Sequence, residues 1–311
     1  DLVHALGADH VGGQRVAQGT RLLFDEQDYE LVGIVNEFRT TGKNKKPEQL
    51  RKLLDPALHP RGIKELAATR ARRIAYAVVR LLDSLEQGDS KDRIIALRAL
   101  HEEVLHGGSG SLQKNAARVL LSIMKELVRE YGNYWRQVEL AHSFFATVAG
   151  KPRTVRRELH KHHLLEMPEA WNQVSFDNHV HDANTKGRKA PTHLIMDAWI
   201  KGIRELTVIY YGYVTPEAIA ELTEAAAIME IKVRPGIEVA ARFRDKYAQF
   251  IWIPVGLENP RDFIHWMEKA GTTAFFDRGR EFMKRRSDYA LELLDLFNRK
   301  HRAALIERFG L

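Results

Sequence analysis

The feature that most constrains this chain is a change of rhythm near its middle. Up to about residue 150 the apolar residues recur every three or four positions, the signature of amphipathic helices. After about residue 173, short runs of β-branched and aromatic residues alternate with helical stretches. The 311 residues suffice for two cores. The reading is therefore an α + α/β chain in three parts: an all-helical domain over 1–150, a basic linker helix over 151–172 and an α/β domain over 173–311.

In the first part, helices are expected over Asp28 to Phe38, from Pro47 to near Asp55, and over Ile63 to Leu85, where Ile74, Val78, Leu81 and Leu82 form one stripe. Ser90 to His106 follows, with Ser90 as its N-cap, then the glycine-rich tract Gly107 to Gly110. Ser111 to Tyr131 and Tyr134 to Ala149 complete the set. No repeat of fixed period joins them, so an irregular bundle is expected rather than a solenoid. The linker, PRTVRRELHKHHLLEMPEAW, is the most basic short helix in the chain and reads as a solvated connector.

In the last part, strands are expected over Val174 to Val180, Leu206 to Tyr211, Lys232 to Ala240, Phe250 to Val255 and Ala274 to Phe276. Helices are expected over Thr192 to Gly202, Pro216 to Met229, Pro260 to Ala270 and from about Gly279 to Phe309. Strands that alternate with helices pair in parallel, and such sheets gather reactive groups at their carboxyl edge. Asp177, His179 and His181 occupy alternate positions of the first strand, which sends their side chains to one face. Glu238 is expected near the end of the third strand. Two imidazoles and two carboxylates can hold a divalent ion. With no cysteine in the chain, any such ion rests on nitrogen and oxygen, which suits zinc, manganese or iron.

The formal charge of +7 favours an anionic or phosphorylated ligand and admits nucleic acid. Arg234 and Arg242 lie near the same strand and are the expected anion contacts. No apolar run reaches membrane-spanning length, so no membrane partner is expected. The opening residues lack a signal peptide's layout, and a cysteine-free chain fits a reducing, cytoplasmic setting. The chain begins at Asp1 without a methionine, as a trimmed or partial chain would. The last helix carries an apolar face suited to packing on the sheet or to a dimer, and the oligomeric state stays open.

The string from Phe176 to Val255 resembles the PHP superfamily, the polymerase and histidinol phosphatase family of metal-dependent phosphoesterases. DNHVHDANTKGRKAP is similar to that family's opening Asp-x-His-x-His, and VRPGIEVAA to its Pro-Gly-x-Glu segment. The resemblance implies a distorted (β/α)₇ barrel with metals at its mouth. His179 and His181 would be terminal ligands, Glu238 a bridging one and Asp177 a nearby support. Where the family carries Asp-His after the second strand, this chain has Tyr210-Tyr211, and the late Asp-x-His has no counterpart. Two functional readings stay open. One is a phosphoesterase with a reduced site that uses these residues and Asp182 or the tyrosines. The other is a non-catalytic binding or scaffold protein whose basic helices meet nucleic acid or an acidic partner.

Overall fold

The computed structural model describes residues 24–40, 70–106, 111–255 and 260–310. The helices expected from Pro47 and within 63–69, and the tract 107–110, lie outside the described residues. The helical part comprises α1 (Glu26–Thr40), α2 (Arg70–Gln87), α3 (Ser90–His101), α4 (Gln113–Arg129), α5 (Tyr134–Val148) and α6 (Pro152–Lys161). Helix α3 runs on as a π-helical turn over Glu102–His106. Its N-cap is Asp89 rather than Ser90, because the Asp89 carboxylate accepts the Asp92 N–H at 2.9 Å.

The mixed part runs β1 (Phe176–Val180), α7 (Pro191–Lys201), β2 (Glu205–Tyr211), α8 (Pro216–Ile228), β3 (Lys232–Phe243), β4 (Lys246–Trp252), α9 (Pro260–Met267), α10 (Ala270–Lys300) and α11 (Arg302–Phe309). One curled sheet of order β1-β2-β3-β4 results, a half-barrel. Strands β1, β2 and β3 are parallel, each pair joined by a helical crossover. Strand β4 is antiparallel to β3, against the expectation of a further parallel strand. The two strands form a hairpin whose turn residues, Arg244 and Asp245, both have positive φ, 47° and 63°. A two-residue hairpin turn requires that conformation, yet neither residue is the glycine or asparagine that usually announces it. The strand expected at Ala274 to Phe276 is instead part of α10.

A single apolar core runs through both parts. Leu97, Leu121 and Phe144 of the helical part belong to the same buried cluster as Trp199, Ile219 and Tyr210. The boundary near residue 150 thus marks a change of secondary structure and not of core. Helix α6 buries Val155 and Leu159 and packs on α4 and α5, so it is no solvated connector. Its basic side chains are also partly matched: Arg156 pairs with Glu166 at 2.8 Å, while Arg157 and Lys161 reach the fully buried Glu158 at 3.2 Å.

Charged groups hold the seam between helices and sheet. Arg93 of α3 forks onto Glu221 of α8, and the same carboxylate accepts the backbone and hydroxyl protons of Thr192 at the start of α7. Asp197 of α7 accepts from Lys125 of α4 and from Lys189 in the β1–α7 loop. Arg118 is fully buried and bonds three uncharged oxygens, the carbonyls of Ile200 and Leu165 and Oδ1 of Asn115. Burial with no carboxylate in contact pulls its pKa down to about 10.

Candidate functional site

The carboxyl ends of β1 and β2 lie beside the middle of β3, which runs on past them into the hairpin. Tyr211 stands opposite Glu238, and Ile209 opposite Gly236, so these four share one face of the sheet. Strand β1 joins that face only after an irregularity. Asp177 pairs with Leu206 and Val180 with Val208, so three steps of β1 match two of β2. The extra residue is a bulge, and it reverses the alternation. Asp177 therefore falls on the face opposite His179 and His181. Its Oδ1 accepts the His179 backbone N–H at 3.2 Å, a local turn contact. The expectation that Asp177 and both histidines share a face is corrected by this one inserted residue.

The two imidazoles converge. Their Nε2 atoms are 3.2 Å apart, and the rings meet edge to face at 5.0 Å. Nδ1 of His181 lies 2.8 Å from the Ile209 carbonyl oxygen. A carbonyl can only accept, so Nδ1 carries a proton, and in the neutral ring Nε2 is the nitrogen with the lone pair. Glu238 Oε2 stands 3.9 Å from His179 Nε2. Among the described residues no three His, Asp or Glu side chains are grouped closely enough to hold an ion as they stand.

Adjacent tyrosines have opposite fates. Tyr210 is fully buried, and its hydroxyl donates to Asp182 Oδ2 at 2.8 Å. Burial raises the phenol's pKa well above its usual range, and the Asp182 carboxylate adds to the effect. Burial likewise raises the pKa of Asp182, opposed by the proton donors Tyr210 and Asn184. Asp182 also anchors the following loop: its carbonyl accepts the N–H of Thr185 and of Gly187. A Cβ on Gly187 would collide with the His181 carbonyl, so only glycine lets the loop fold back this tightly. Tyr211, on the other face, packs its ring 5.1 Å from His181, and Lys186 of the same loop sits 5.2 Å above it.

Tyr211 and Glu238 also line a pocket of about 350 Å³ that α10 closes on its far side. Gly279 of α10 makes this approach. A Cβ there would run into the carbonyl of Gly212, itself at φ 71°, so two glycines bring the helix against the end of β2. The contact places Arg278 and Arg286 on the pocket wall. On the same helix Arg280, Arg285 and Arg299 pair with Asp277, Glu281 and Asp295. Arg278 and Arg286 have no ion-pair partner among the described residues.

The arginines expected at the site are elsewhere. Arg234, early in β3, pairs with Glu205 at 2.7 Å, at the amino edge of the sheet. Arg242 lies beside the hairpin turn and pairs with Asp245 at 2.7 Å. The missed pair, Arg278 and Arg286, had one sequence signal, a glycine interrupting an amphipathic helix at 279. Comparison with protein-family models, curated proteins and solved structures yields no match to this chain.

Proposed function

We propose that the carboxyl edge of the sheet is a reduced PHP-like site for metal-dependent phosphoester hydrolysis, with His179, His181 and Glu238 as its ligand core. The observation that carries this reading is the pair of Nε2 atoms 3.2 Å apart. Two nitrogens bound to one tetrahedral ion at about 2.0–2.1 Å stand roughly 3.3–3.4 Å apart. The His181 Nδ1–H bond to Ile209 is the kind of outer contact that fixes a ligating tautomer. Glu238, 3.9 Å from His179 Nε2, is the nearest carboxylate to the pair among the described residues that could supply a third ligand. Asp177 does not fit this set. A divalent ion held there would supply Lewis acidity toward a phosphoryl oxygen. The chain's own residues would bind and orient the ester: Arg278 and Arg286 face the anion, and Tyr211 holds the His181 ring in place.

One observation favours a second reading, a binding module without turnover. Tyr210 occupies a position where the family carries a ligand, and its hydroxyl is committed to Asp182 in the core. The reading through basic helices and nucleic acid has less to draw on, since three cations of α6 already face carboxylates. Chelator-stripped protein resupplied with Mn²⁺ should bind about one equivalent and hydrolyse a phosphomonoester, and the His179→Ala/His181→Ala variant should do neither. Mn²⁺ binding without turnover selects the binding module, whereas hydrolysis that survives in the variant removes the histidines from the site.

A further inference from the structure

The pocket beside the histidine pair is lined by two kinds of side chain. Its ionic groups are Glu238 on the sheet and Arg278 and Arg286 on α10. Its apolar groups are Val239 and Ala240 of β3 and Phe275, Phe282 and Met283 of α10, where Phe282 and Met283 fall between the two arginines along the helix. Phe282 leaves 55% of its surface exposed although it sits on a wall of the pocket. An exposed phenyl ring beside two unpaired guanidinium groups can stack on a second ring through ring edges, guanidinium planes and the Met283 sulfur.

We propose that this pocket takes a small phosphate monoester whose organic group is a single aromatic ring, seated on Phe282 with its phosphate toward Arg278 and Arg286. The assignment rests on the phosphoesterase reading for the anion and on the apolar wall for the ring. Size supports it, because about 350 Å³ is near the lower limit of small-molecule sites, which run roughly 300–1,000 Å³. Polarity supports it as well. Among the described residues, Tyr211 and Gln249 are the only lining side chains besides the ionic groups that can hydrogen-bond well. A sugar leaving group would bury hydroxyls without enough partners, an arrangement that discriminates against it.

The test is a calorimetric titration of the whole chain, with and without Mn²⁺, using inorganic phosphate, phenyl phosphate and ribose 5-phosphate. Phenyl phosphate should bind about tenfold more tightly than ribose 5-phosphate. Phe282→Ala should reduce that preference by roughly three- to tenfold and leave inorganic phosphate unchanged, in line with the usual worth of an aromatic pair. Arg278→Gln/Arg286→Gln should weaken all three ligands by at least about tenfold, as expected for lost charge-assisted bonds. Equal affinity for the two esters, a Phe282→Ala variant that keeps the preference, or no binding of any ligand overturns the proposal. Direct Mn²⁺ titration of the same samples reports on the hydrolase reading separately. A protein that prefers phenyl phosphate but takes up no Mn²⁺ retains the pocket assignment and loses the hydrolase.

Discussion

At the seam between helices and sheet, Arg93 meets Glu221, and Asp197 meets Lys125 and Lys189. At the carboxyl edge, Arg278 and Arg286 meet no carboxylate among the described residues, and His179 faces His181. Both regions are rich in charge, but only the first is matched. A buried or half-buried charge needs its partner in the folded state, so matched sets hold the fold together. Charges left open beside a pocket contribute little to folding and are free to act on a ligand.

The largest expected effect comes from breaking a matched set. Glu221→Ala strands Arg93 and the Thr192 protons together, and should cost about 3 kcal/mol in urea denaturation. Arg278→Ala and Arg286→Ala should stay within about 0.5 kcal/mol of the parent in the same assay. Comparable losses at both places would erase the distinction between seam and mouth.

Acid should probe the seam next. His193 is half-buried beside Asp197, Lys125 and Lys189, and its Nε2, itself shielded from solvent, has no hydrogen-bond partner among the described residues. Burial lowers its pKa from 6.5 to about 4. The unfolded chain therefore takes up this proton first, so the contribution is complete above pH 6.5 and is lost as pH falls from 6.5 toward 4. The loss should approach roughly 1.4 kcal/mol per pH unit within that window. In His193→Gln the slope of stability against pH should flatten there. An unchanged slope would assign the acid sensitivity to other groups.

The tyrosines give the smallest and most specific contrast. Tyr210→Phe removes a buried donor from Asp182 and should cost about 1–2 kcal/mol without changing Mn²⁺ affinity. Tyr211→Phe should cost under about 0.5 kcal/mol, as a partly exposed ring retained in shape. A change of metal affinity with Tyr210 alone would place the wrong tyrosine at the site.

Much of this arrangement was legible in the sequence. The β1-α7-β2-α8-β3 order follows from the alternation of periods, and His179 and His181 lie at the end of β1 as the alternation suggests, whereas Glu238 lies in the middle of β3, which continues to Phe243. What escaped has identifiable causes. The bulge in β1 inserts a residue with no glycine or proline to mark it, so Asp177 was assigned to the wrong face. The β3–β4 hairpin turns on Arg244 and Asp245, where the aspartate is a weak turn signal unsupported by a glycine, and a parallel strand is expected from the sequence instead. The arginines of α10 look alike along the chain. Only the contact between Gly279 and Gly212 decides that 278 and 286 face the pocket.

The most direct measurement is a crystal structure of the protein soaked in Zn²⁺, with anomalous scattering to locate the ion. The account predicts a peak about 2.0–2.1 Å from Nε2 of both His179 and His181, with the Glu238 carboxylate drawn toward it. A zinc-soaked crystal with no peak there, and the two Nε2 atoms still hydrogen-bonded to each other, would contradict it.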